Sequence, residues 1–193
     1  LKEATLSQER ERALVEEAKC DVQAFVQLYN AYLPKVYRYF LFRVRERQVA
    51  EDLTSAVFER VLAKLNTYRA ERGSFGSWVF SIARNAFINY HYHQEREPAI
   101  GLEEVSDLAS KEWMPERELL QRERRRELDV CIASLSPREQ EIIALKFGSG
   151  FTNRRIAELL GLTETNVGTI LYRAVRKIRD RLIKEEGFDE RER

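Results

Sequence analysis

The side chains best equipped for chemistry in this chain are cations beside short polar groups, and rings beside amides. In FTNRRIAELLGLTETNVGTILYRAVRKIRDRL, at about 3.6 residues per helical turn, Thr165, Thr169, Tyr172, Arg173 and Arg176 point outward. Val167, Leu171, Ala174, Ile178 and Leu182 form the stripe that must pack inward. From Thr165 to Lys184 the basic residues are Arg173, Arg176, Lys177, Arg179, Arg181 and Lys184, opposed only by Asp180. Short polar groups can meet base edges in a major groove while the cations meet phosphates, so the pattern suits duplex DNA. A helical hairpin with a solvated charged face is the other reading.

A second group of candidates lies in GSFGSWVFSIARNAF, Gly73 to Phe87. Trp78, Ile82 and Ala86 share one helical face, whereas Phe80 and Phe87 project to the opposite side near Arg84 and His91. One apolar stripe cannot absorb both sets. Rings beside Arg84 and Asn85, with Tyr68 and Arg69 nearby, match what single-stranded nucleic acid needs: bases stack on rings while cations follow the backbone. Trp78 taken alone reads as core sooner than as a contact. In AEDLTSAVFERVLAKL, Val57, Phe58, Val61, Leu62 and Leu65 form an apolar stripe, and Asp52, Ser55 and Glu59 line another side that is either solvated or a docking surface.

Other chemistries find no footing. His91 and His93 point to nearly opposite sides of a helix, and no further His exists to complete a metal site. No Ser/His/Asp set, Gly-rich phosphate loop or isolated carboxylate pair stands out, so neither catalysis nor a cofactor is expected. Cys20 and Cys131 have no ligand cluster or CxxC pair around them and read as small buried apolar residues in a reducing cytoplasm. Lys plus Arg (33) nearly cancels Asp plus Glu (32), so the net charge of +1 says nothing about partners.

The elements that position these residues are all helices. Gly and Pro are scarce (8 and 4), and apolar residues recur at three and four almost everywhere. Asp21 caps a helix carrying Phe25, Leu28, Tyr32, Val36 and Phe40, kinked or restarted at Pro34. Further helices run from about Arg47 to Asn66 and from about Ser77 to His93. Leu128, Cys131, Ile132 and Leu135 mark another. Ser136-Pro137-Arg138-Glu139 reads as a capping box, Thr152 and Thr163 as two more caps, and Gly161 as the turn between the last two helices. Between Glu97 and Pro115, five carboxylates face only Lys111, giving an acidic tether. No apolar run approaches the roughly 20 residues needed to cross a bilayer, and the charged amino terminus lacks the apolar centre of a signal peptide. A cytoplasmic protein without membrane insertion is expected.

With these motifs in order (FVQLYNAYLPKVYRYF, AEDLTSAVFERVLAKLNTYR, GSFGSWVFSIARN, LSPREQEIIALKF and the helix-turn-helix) the chain resembles the extracytoplasmic-function (ECF) sigma factors of the bacterial sigma-70 family. The resemblance covers nearly everything after about Asp21. It implies an all-α fold of two small helical domains joined by a flexible acidic linker. The divisions are a lead-in at 1–20, sigma region 2 at 21–96, a linker at 97–115, sigma region 4 at 116–186 and a tail at 187–193.

The partners so implied are core RNA polymerase, through the clamp and flap of its largest subunits, promoter DNA, and an anti-sigma factor. Asp52, Leu53 and Phe58 match the family's polymerase-binding motif, with Glu59 alongside and Ser55 where the family often has Gln. Tyr68, Phe75, Trp78 and Asn85 match positions at the pocket for melted minus-ten bases, with Arg69 and Arg84 beside them. The helix-turn-helix match assigns minus-thirty-five reading to Thr165, Asn166 and Thr169, with Arg154, Arg155, Tyr172, Arg173 and Arg176 as its further contacts. Gly168 stands where the family frequently carries a basic residue. The function implied is promoter selection and opening without nucleotide transfer. The competing readings are a stand-alone helix-turn-helix repressor or activator, and a helical adaptor.

Overall fold

The structure, a computed structural model, describes residues 8–96 and 116–189. Within them every regular element is helical. The lead-in helix α1 (Gln8–Ala18) runs to a turn at Cys20, where Asp21 accepts from the Gln23 amide at 2.8 Å and starts α2 (Val22–Val44). Pro34 neither ends nor restarts α2, which continues through it. The carbonyl deprived of its donor is that of Asn30; both residues are exposed, so water can satisfy it. Cys20 is exposed rather than buried, because it sits where the chain has left α1 and has no helical face to share.

Helix α3 (Arg47–Lys64) and helix α4 (Phe75–Arg96) pack beside each other, and both pack on α2. Short 3-10 turns at Leu65–Thr67 and Ala70–Arg72 join α3 to α4. Tyr68 closes that connection by donating its hydroxyl to the Gly73 carbonyl at 2.9 Å. The stripe read on α3 was too broad. Val57, Phe58, Val61 and Leu65 are buried, but Leu62 is 57% exposed because neither neighbouring helix covers its flank.

The second unit contains α5 (Glu116–Ala133), α6 (Pro137–Ile143), α7 (Asn153–Leu160) and α8 (Glu164–Asp189). Ser136 and Glu139 form the capping box at α6, whose end widens into a π-type turn over Ala144–Gly148. Thr152 and Thr163 accept from the amides of Arg155 and Asn166, each at 3.2 Å. Each such cap stabilises its helix by about 1 kcal/mol. Gly161 stops α7 at φ +65°, a left-handed conformation that side chains with a Cβ disfavour. Val167, Leu171 and Ala174 are buried and Ile178 and Leu182 half-buried, as the stripe requires. Leu128, by contrast, is 38% exposed, while Cys131, Ile132 and Leu135 are buried.

The two units are packed against each other. Helix α2 and the π-type turn form the most extensive part of the seam, with α2 against α6 and α4 against α7 at its sides. The expected tether at 97–115 lies outside the described residues.

Candidate nucleic-acid interface

Helix α8 presents an open polar face. Thr165, Asn166, Thr169, Tyr172, Arg173 and Arg176 are all exposed. Arg176 and Arg179 share the Asp180 carboxylate at 3.6 and 3.3 Å, contacts that solvent screens heavily. Lys177 is committed elsewhere, donating to Glu139 at 2.7 Å and tying α8 to the start of α6. Burial works against the charged Glu139, but hydrogen bonds from Lys177 and Ser136 outweigh it and hold the carboxyl below its ordinary range. On α7, Arg154 is exposed and pairs with Glu158 at 3.2 Å.

Arg155 does not join this face. It crosses the seam, where its Nη2 donates to Ser74 Oγ at 2.9 Å and its guanidinium lies 4.4 Å from the centre of the Phe151 ring. Gly76 in α4 makes the space for it, since a Cβ there would collide with that guanidinium and stand 2.8 Å from the Tyr32 hydroxyl.

The aromatic candidates divide. Phe75 and Tyr68 are core, with ring centres 5.5 Å apart, and Tyr32 meets Phe75 edge-on at 5.4 Å. Trp78 is half-buried against both Tyr68 and Phe75. Phe80 and Phe87, expected on a nucleic-acid surface, are instead covered by or drawn into the seam. Phe80 packs on Phe151 at 4.6 Å, and Arg43 lies 4.0 Å over Phe87. The helix has two apolar sides because Phe80 meets the second unit at Phe151 while Phe87 is covered by Arg43 of α2. Arg69 and Asn85 are exposed, while Arg84 approaches Glu141 at 3.9 Å.

Glu141 is the shared acceptor of a buried polar cluster in the seam. It accepts from the Tyr39 hydroxyl at 2.9 Å and pairs with Arg43 at 3.3 Å, all three being buried. Burial first, and the Glu141 charge second, push the Tyr39 hydroxyl well above its usual pKa, so Tyr39 remains a donor. Arg43 also donates to the Pro137 carbonyl at 3.1 Å, and Arg38 to the Gly148 carbonyl at 3.1 Å. A Cβ on Gly148 would stand 3.1 Å from the backbone of Arg38 and Tyr39.

On α3, Asp52, Ser55 and Glu59 are exposed on one side, and Leu53 is half-buried. Phe58 turns inward onto Tyr29, ring centres 4.7 Å apart. Leu62 was missed as a surface residue. Its spacing of three from Glu59 puts it on the same side as the polar group, a signal available in the sequence.

Sequence comparison matches residues 28–97 to sigma-70 region 2 and residues 125–178 to sigma-70 region 4. The ECF RNA polymerase sigma factor BldN of Streptomyces coelicolor is 33% identical over 166 residues, covering 86% of this chain and 63% of its own length. The ECF sigma factor RpoE of Cereibacter sphaeroides is 30% identical over 169 residues, covering 84% of this chain and 86% of its own. This chain belongs to the ECF sigma factors of the sigma-70 family. As such it directs RNA polymerase in transcription initiation. The sigma factor also shares its fold with RpoE of Bartonella quintana, solved in complex with the anti-sigma factor NepR: TM-score 0.62, 20% identity, 82% of this chain and 96% of that one. Among the described residues of this sigma factor no His/Cys/Asp/Glu group is arranged to hold a metal, and no helix is long and apolar enough to cross a membrane.

Proposed function

We propose that the two units, with the boundaries 21–96 and 116–186, divide promoter recognition between them. The observation that carries this reading is the open face of α8, where Thr165, Asn166 and Thr169 stand ahead of Tyr172, Arg173 and Arg176 with the apolar stripe turned away. That face enters the major groove of the minus-thirty-five element, hydroxyls and amide toward bases and cations toward phosphates. Arg154 holds a flanking phosphate, and Arg155 joins it once the seam opens.

The first unit captures melted minus-ten bases. Asn85 offers amide atoms to an extruded base edge, Trp78 supplies a ring, and Arg69 and Arg84 follow the strand, with Tyr68 and Phe75 fixing the wall behind. Asp52, Leu53, Ser55 and Glu59, joined by Leu62 and backed by Phe58, dock on the polymerase clamp, while the second unit leans on the flap. The chain transfers no nucleotides itself. It works in the cytoplasm, associated with the nucleoid in holoenzyme, and is held inactive by an anti-sigma factor; a sigma factor of the same fold solved with NepR supports that partner.

Run-off transcription with core polymerase, with and without this chain, tests the reading. Promoter-dependent transcripts and permanganate-reactive thymines are expected only when the chain is present. Binding of duplex DNA without polymerase-dependent transcripts would favour a stand-alone regulator instead.

A further inference from the structure

Gly168 lies on the open side of α8, three residues from Thr165 and four from Tyr172, with Thr169 next to it in sequence. Glycine inside a helix weakens it relative to alanine. Among the described residues nothing requires the loss. Gly168 is absent from the positive-φ glycines, and a Cβ there would meet only Asn153 Nδ2 at 3.7 Å, an ordinary contact. Gly76 and Gly148 differ, each making room for a neighbour within the chain. The space beside position 168 is thus open to an occupant from outside the chain.

The space above Gly168 has a definite chemistry. It opens as a cleft bounded by Asn153, Glu164, Thr165, Thr169 and Tyr172, and continues onto the apolar surface of Leu171 and Val175. Lys146 Nζ donates to Asn153 Oδ1 at 3.0 Å. A lysine can only donate, so the Asn153 amide is oriented with its NH2 toward Gly168, as a donor. Glu164 on the rim repels a phosphate, which favours a base edge as the occupant. Arg176 lines the apolar continuation and suits the nucleic-acid backbone beside the base.

A donor next to an apolar recess is the complement of one base in the major groove. Thymine presents the O4 acceptor beside its 5-methyl group, whereas cytosine presents an amino donor, adenine an N7 acceptor beside an amino donor, and guanine acceptors without a methyl. We propose that Gly168 leaves the seat for the 5-methyl group of one thymine in the upstream promoter element, with Asn153 donating to its O4. The assignment rests on α8 being the helix that enters promoter duplex.

The test uses holoenzyme assembled from the full chain and core polymerase, selecting from a duplex library with a randomised upstream element. The library is made once with thymidine and once with deoxyuridine triphosphate, which differ at this base only by the methyl. Wild type enriches thymine at one upstream position, and the enrichment falls roughly three- to fivefold in the uracil library, the effect of one buried methyl. Gly168→Ala, with its helix content checked by circular dichroism, binds the selected thymine site roughly three- to tenfold more weakly and no longer distinguishes the two libraries. Asn153→Asp, which replaces the donor by an acceptor, loses the preference for thymine at that position. Equal enrichment by wild type in both libraries at every position, or a Gly168→Ala protein that keeps its methyl dependence, overturns the seat while leaving promoter recognition by α8 intact. Enrichment of no sequence by wild type overturns both.

Discussion

Replacing Glu141 by Ala removes the acceptor on which three side chains of the first unit converge. Tyr39 loses its partner at 2.9 Å and Arg43 its partner at 3.3 Å, and Arg43 is only 8% exposed. Arg84, at 3.9 Å and 43% exposed, loses little. Stranding one member of a buried ion pair costs about 3–5 kcal/mol while the group stays buried. That cost is avoided if the units separate and Arg43 reaches water. The expected result is therefore an opened seam rather than an unfolded protein. Gly148→Ala attacks the same contact without touching charge, because its Cβ would stand 3.1 Å from the α2 backbone, which cannot yield as a flexible side chain would. Small-angle scattering from both variants should show a larger radius of gyration than wild type, with helix content by circular dichroism retained. Both should also bind promoter duplex more tightly without polymerase, since Arg155 is released. A scattering profile and melting temperature indistinguishable from wild type in both variants would refute the seam as an energetic contact.

Arg176→Ala should weaken upstream duplex binding and make the slope of log affinity against log salt shallower by about one, the signature of one lost phosphate contact; an unchanged slope removes Arg176 from the interface. Asn85→Ala in holoenzyme should lower permanganate reactivity of the minus-ten bases, with a loss of about tenfold in open-complex formation for one base-edge hydrogen bond and upstream binding unchanged. Reactivity equal to wild type would take Asn85 out of the pocket. Glu139 has its carboxyl pKa lowered by folding, so its contribution to stability is present above the unfolded value and is lost as pH falls through the folded one. Thermal melts of wild type should show that loss on the acid side of about pH 5, and Glu139→Gln should flatten the dependence there. An identical acid-side slope in the variant would contradict the assignment.

What could be read from the sequence was chemistry completed within a few residues. The capping box of Ser136 and Glu139, the Thr152 and Thr163 caps and the turn at Gly161 all act between neighbours, and each appears where the spacing puts it. The outward set on α8 follows from its inward stripe for the same reason. Surface and core assignments that depend on another helix fared less well. Leu62 and Leu128 fit their apolar patterns yet lie where no neighbour covers them, and Cys20 falls in a turn. Phe80 and Phe87 posed the hardest case, because a helix with two apolar sides is produced equally by a ligand surface and by a second domain. The Tyr39–Glu141 bond joins residues 102 positions apart, and no local pattern links them.

The composition of the seam bears on how the units part. An aliphatic interface loses its full hydrophobic stabilisation when it opens, with nothing returned by water. A buried ion pair behaves differently, because the charges recover hydration as they separate, and their net contribution is correspondingly small. Here Arg43, Glu141 and Tyr39 form a buried polar cluster in the contact, Arg155 and Ser74 form a second polar pair, and Phe80 meets Phe151 within an apolar core that both units share. Such a seam holds the units in a defined register, because each polar group needs its own partner, yet separates at lower cost than an equal area of leucine. On the proposed reading the exchange is more favourable still, because Arg155, held by Ser74 while the seam is closed, would find a phosphate once it opens. Polymerase and promoter would then have to supply only the difference between two polar arrangements of the same side chains.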